Sequence, residues 1–170
     1  MKKILVAAIF TLAVSIPAFA QKADDSKDAL AVITKLFEMM AAHKPAEIVA
    51  LHTPEAQLIA IMKNKEGKTV NRALKAEDFS KNFAEKKAEI LEDMYAPKVE
   101  VDGNFAQVWG RYVFFINGKI SHCGVNAFHL VRTDAGWKIS GASSTMEPQN
   151  CTEQEKAMKA PATATQPTKQ

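Results

Sequence analysis

"NGKISHCGVNAFHLVRTDAGWKIS", residues 117–140, decides how the rest of the chain is read. It opens on Asn117-Gly118, the dipeptide that best fits a two-residue hairpin turn. A second turn signal stands at Asp134–Gly136. Between them Val, Ile and Phe mark a strand-like run, and Trp137 starts another, "WKISGASSTM". Upstream lie "NFAQVWGRYVFFING" and "ILEDMYAPKVEVDG", parted at Asp102-Gly103. Buried helix is the alternative for such apolar runs, but the aromatic and β-branched enrichment and the turn spacing favour strands. Four runs in succession predict an antiparallel meander.

The N-terminal half has a different period. "DALAVITKLFEMMAAHK" places apolar residues at 30, 33, 36, 37 and 40, which is helical spacing, with Asp25 or Ser26 available as a cap. Pro45 ends it and starts a short helix, "AEIVAL". "AQLIAIM", 56–62, reads as a strand bounded by Asn64 and Gly67. "EGKTVNRAL" reads as an arm or loop leading to a helix over roughly Lys75 to Ala88, with Phe79 and Phe83 one turn apart. This order of elements predicts an α+β domain, with helices gathered on one side of a curved antiparallel sheet.

The ends of the chain are of another kind. Met1-Lys2-Lys3, the apolar run Ile4 to Ile16 and the small residues up to Ala20 match a secretory signal peptide over 1–20. The apolar run is too short for a good membrane span, and Gln21 after the cut is not the cysteine of a lipid anchor. We therefore expect an exported, periplasmic or secreted protein without stable membrane insertion. Residues 21–27 form a polar leader, 28–150 one domain, and 151–170 a mostly disordered tail beginning with Cys151. Loss of residues 1–20 lowers the formal charge from +3 to +1, which offers no concentrated basic face for nucleic acid. Cys123 and Cys151 are an even pair in an exported chain, which favours a disulfide.

Several residues could carry chemistry. Strand alternation puts His122, Asn126 and Phe128 on one face and Cys123 and His129 on the other, unless a bulge at Cys123-Gly124 resets the count. The two histidines are then poor co-ligands for one metal, and no HxH, HExxH or CxxC spacing occurs, so no metal or cofactor is expected. His43 and His52 lie near helix ends and read as surface or capping residues. Glu92 is the carboxylate best placed for a cavity, beside Met94 and Tyr95.

The ordered set "VEVDGNFAQVWGRYVFF", "GKISHCGVNAFHLVRTDAGWKI" and the closing "TMEPQNC" resembles the nuclear transport factor 2-like superfamily, also called the SnoaL-like or cone-shaped α+β fold, and within it a subgroup of exported bacterial members. The resemblance covers roughly residues 28–147. It implies N-terminal helices packed on the concave face of the sheet around a cone-shaped cavity, and commonly a homodimer. In this sequence His122, Asn126, Tyr95 and Tyr112 would line such a pocket, with Trp109, Phe128, Phe37 and Met40 as its apolar wall. The superfamily holds isomerases, dehydratases and cyclases beside non-enzymatic binders, so the fold alone does not settle function. His122, Tyr95 and Glu92 are the acid–base candidates if the protein is an enzyme. No Tyr-plus-Asp pattern of the steroid-isomerase kind stands at the corresponding places, and a dehydratase-like set from His122, His129, Tyr95, Tyr112 and a carboxylate is left to geometry, so we expect a binder of a small apolar or aromatic molecule, with no catalytic set identified. A purely structural homodimer is the remaining alternative.

Overall fold

Asn117 and Gly118 take φ angles of 51° and 72°, the left-handed values that a tight two-residue hairpin demands. They join two of six strands in a computed structural model that describes residues 18–160, with side chains from Asp25 onward. The signal-peptide reading of residues 1–20 lies outside the described residues except at its last three positions. So does the end of the tail, 161–170.

Helix α1 spans Ala18–Ala41 and α2 Pro45–Ala50. Strands follow at His52–Lys63 (β1) and Thr69–Lys75 (β2), then a short helix at Ala76–Ser80 (α3) and a 3-10 turn at Lys81–Phe83. The meander is β3, Ile90–Asp102; β4, Phe105–Ile116; β5, Lys119–Thr133; and β6, Gly136–Thr145. The sheet order is β2-β1-β6-β5-β4-β3. All four strands expected of the meander are present, as is the one expected over 56–62, within β1, and the sheet is curved and unclosed.

The sheet departs from expectation in its pairing. It is mixed, because β1 runs parallel to β6 while the other neighbours are antiparallel. β1 arrives at the meander's open edge from the helices rather than through a hairpin, so no tight turn dictates its direction. "KTVNRAL" is also not a loop. It forms edge strand β2, held by a turn in which Asn64 Oδ1 accepts from the amides of Glu66 and Lys68. Its exposed, polar composition hid a period of two in Val70, Arg72 and Leu74. The helix expected to Ala88 stops at Phe83, since "AEKKAE" has no apolar face to bury. Phe79 and Phe83 do stack edge to face, 5.1 Å apart.

Helix α1 buries Ala29, Ile33, Leu36 and Met40 against Val108, Phe128, Leu130 and Ile139 of the sheet. Each large apolar side chain so buried contributes roughly 1.5–3 kcal/mol. The helix begins upstream of Asp25 and Ser26, so the polar leader continues it and neither residue is its N-cap. Three register shifts within the meander bend the sheet around α1. They fall after Tyr95, where Ala96 has φ 46°, at Ser121, and at Ser140. The reset considered at Cys123-Gly124 occurs instead at Ser121, so alternation from His122 to Arg132 is undisturbed.

Cys123 and Cys151 form a disulfide, with Cα atoms 5.6 Å apart. It pins the start of the tail to the outer, convex face. Helix α4, Glu153–Ala157, follows with a capping box between Thr152 and Glu155. Glu155 has no exposed surface, and Arg111 Nε donates to it at 2.5 Å. Met158 and Ala160 pack with Cys151 against Val113, Phe115 and Ile120. The described tail is therefore an ordered strap, not a disordered extension. Its ordering comes from a covalent bond and an ion pair, which its apolar-poor composition did not display.

Candidate functional site

Alternation along the strands sorts the candidate residues by face before any contact is considered. The concave face and the helices enclose a cavity of about 390 Å3. Helix α1 supplies Leu36, Phe37 and Met40 to its wall, α3 and the turn after it supply Phe79 and Phe83, and β5 supplies His122, Asn126 and Phe128. Glu92 and Tyr112 also line it.

Tyr95 and Trp109 do not. Tyr95, ahead of the β3 bulge at Ala96, and Trp109 on β4 occupy odd positions where the even ones face inward, so they project from the convex face. Tyr95 pairs with Arg111, and Trp109 is 40% exposed under the Lys98 ammonium, 5.9 Å from the ring. The expected grouping of His122, Tyr95 and Glu92 is thus split, with Tyr112 at the cavity in Tyr95's stead.

The polar groups inside form one chain. Ser144 Oγ donates to Asn126 Oδ1 at 2.6 Å, and Asn126 Nδ2 donates to Glu92 Oε1 at 2.7 Å. Glu92 stands opposite Phe114, which stands opposite His122, so Asn126 is two strands away and four residues along. In a flat sheet their Cα atoms would be about 16 Å apart, from strand spacing and rise per residue. The bends at Ala96 and Ser121 bring their side chains into contact. Glu92 keeps some surface where it lines the cavity, yet burial pushes its carboxyl up to about 7, with the Asn126 hydrogen bond opposing the shift.

Tyr112 is less available than its position suggests. Its hydroxyl donates to the Thr145 carbonyl at 2.8 Å, and burial, then the nearby Glu92 charge, hold its pKa well above the ordinary value. The His122 ring stacks on Phe114 at 4.8 Å and meets Tyr112 edge-on at 5.7 Å. Burial lowers its pKa, so the imidazole is neutral at pH 7, with Nδ1 3.3 Å from Ser121 Oγ. His122, Met62 and Met146 also border a more polar surface cleft of about 980 Å3, along the β1–β2 turn and residues 145–150.

The remaining histidines lie elsewhere. His129 is exposed on the convex face beside Phe105. His52 is buried rather than a surface residue, because its Nδ1 hydrogen donates to the Ile48 carbonyl at 2.8 Å and draws the ring under α2. Cys123, Cys151 and Glu155 bring donor atoms together, but the two sulfurs are bonded to each other and leave no thiolate pair for a metal. Among the cavity residues that escaped the sequence reading are the polar Ser144 and Arg72. Neither lies in a motif, and only the sheet register places them on the concave face.

A protein with a cystatin-like fold from Novosphingobium aromaticivorans, described as NTF2-like, superposes with a TM-score of 0.62 at 12% identity, over 82% of this chain and 92% of its own. A nuclear transport factor 2 superfamily protein from Salmonella enterica gives 0.60 at 16% identity, over 77% and 96%. This chain has the nuclear transport factor 2-like fold. A provisionally assigned dehydratase of the NTF2-like family from Streptomyces avermitilis gives 0.54 at 15% identity, over 73% and 96%. No family model matches the chain, and no curated protein matches it by sequence. The nuclear transport factor 2-like likeness therefore rests on shape, and at these identities it carries the fold and not an activity.

Proposed function

We propose that the protein is an exported binder of a small apolar or aromatic molecule, held in the cavity between α1 and the sheet. One observation carries this reading: a largely apolar space of about 390 Å3 crossed by a single satisfied polar chain, Ser144–Asn126–Glu92. That size and lining suit a small ligand oriented by a few polar groups. A purely structural domain would have filled the space with side chains. The disulfide and the signal-like residues 1–20 support an oxidising compartment, the periplasm of a Gram-negative cell.

The test is fluorescence titration with N-phenyl-1-naphthylamine, a neutral apolar probe. We expect saturable 1:1 binding with a micromolar Kd, abolished by Ala60→Phe, which fills the cavity floor. Unsaturable binding, or saturable binding untouched by the blocking variant, would sink the reading.

Acid–base catalysis of the isomerase, dehydratase or cyclase kind is the second reading. It is favoured by Glu92, a carboxyl near neutrality beside an apolar space, which is the condition a general base or acid needs. The absence of a free partner donor at Tyr112 weighs against it. We also assign the uncovered part of the convex face, with Trp109 and Phe105 exposed, to a second copy of this chain.

A further inference from the structure

The register of four strands lays a polar row across the cavity floor. Arg72 of β2 stands opposite Ala60 of β1, Ala60 opposite Ser144 of β6, and Ser144 opposite Asn126 of β5. All four line the cavity. The inner end of the row is closed by hydrogen bonds, since Ser144 and Asn126 pass into Glu92. The outer end is open. The Arg72 side chain forms no hydrogen bond, ion pair or ring contact among the described residues. Among the described residues it is the only lysine or arginine that lines the cavity. Between Arg72 and Ser144 the floor carries only the methyl group of Ala60, a gap of two strand spacings, about 10 Å between Cα atoms.

We infer that the cavity ligand is an apolar or aromatic carboxylic acid, with its carboxylate over Ala60 against the Arg72 guanidinium and its apolar body inward, against Phe37 and Phe128. This deepens the binding function proposed above and rests on it. Arg72 is exposed at the mouth of the cavity, where a guanidinium without a side-chain partner can take a planar carboxylate through two parallel hydrogen bonds. The apolar wall begins directly beyond that point, with Leu58, Leu74 and Phe79. A neutral ligand of the same shape would leave Arg72 unused. A cationic one would meet Arg72 on entry.

The test compares 3-phenylpropanoate with its uncharged amide, 3-phenylpropanamide, by displacement of N-phenyl-1-naphthylamine from the full mature chain. We expect the acid to bind at least tenfold tighter than the amide at pH 8. Arg72→Gln should remove that preference by weakening the acid at least tenfold more than the amide, and Arg72→Lys should restore part of it. Equal affinities for acid and amide, or an acid affinity unmoved by Arg72→Gln, would overturn this inference and leave the binding function standing. Displacement by neither compound, with the naphthylamine still bound, would overturn it as well. Failure of the naphthylamine itself to bind saturably, or binding untouched by Ala60→Phe, would remove the function with it.

Discussion

Glu92 shows how one residue's chemistry is made by its surroundings. In the sequence it is one carboxylate among many, picked out by its place beside Met94 and Tyr95. In the fold, burial raises its carboxyl from the ordinary 4.5 to about 7. A raised carboxyl binds its proton more tightly folded than unfolded. Its contribution to stability is therefore full below about pH 4.5 and lost as pH rises to about 7, by about 3 kcal/mol from the shift alone. Glu92→Gln keeps an acceptor for Asn126 and cannot ionise. We expect its urea-unfolding free energy to lack the Glu92-linked fall between about pH 5 and 7 that the parent shows, leaving only the rise with pH that the lowered His52 and His122 contribute to both proteins. The same variant separates binder from enzyme. A buried general base should deprotonate 5-nitrobenzisoxazole with a rate rising around pH 7, and Glu92→Gln should abolish that rate. A parent no faster than acetate at the same concentration would remove the catalytic reading. Tyr95 was misplaced for a simple reason: three residues from Glu92, it must take the opposite face.

At the scale of elements, the strap after β6 is the feature least legible beforehand. Its composition is polar, and its order comes from Cys123–Cys151 and from Arg111–Glu155. Burial works against the Glu155 charge, but Arg111 and the Thr152 amide and hydroxyl hold its carboxyl below the usual range. The bridge spans a sequence separation of 28, and a loop of that size is worth about 3–4 kcal/mol in the chain-entropy account, whose mechanism is contested. Cys151→Ser should lower unfolding stability by about that much and speed hydrogen exchange at residues 152–158. A thiol count on the unfolded, unreduced protein should find none free. Two reactive thiols would refute the bridge. The strands of the meander, by contrast, were readable because their turns carry Asn-Gly and Asp-Gly signals and their faces alternate. β2 was not, since an edge strand with solvent on most sides needs few apolar residues.

For the whole molecule, the convex face is covered at one end by the strap and bare at the other. Phe105 is 46% and Trp109 40% exposed there, two residues either side of Gln107. Paired aromatic exposure of this kind marks a contact surface more often than a solvent face. We expect a homodimer in sedimentation equilibrium at micromolar concentration, converted to monomer by Trp109→Glu without loss of cavity binding. A parent that stays monomeric at 100 μM would refute the dimer. The cavity and this surface lie on opposite faces of one sheet, so a ligand and a second copy would make separate demands on alternate residues of the same strands.

Sequence alone determined the α+β class, the order of the meander and the faces of β5, because turn chemistry and side-chain alternation are local. It determined that Cys123 and Cys151 have only each other. Tertiary structure decided the rest. The parallel docking of β1, the contact of Asn126 with Glu92 and the row from Arg72 to Asn126 all depend on strand register and sheet curvature. Those are set by packing against α1 and by bulges, between residues far apart in the chain, and no local pattern encodes them.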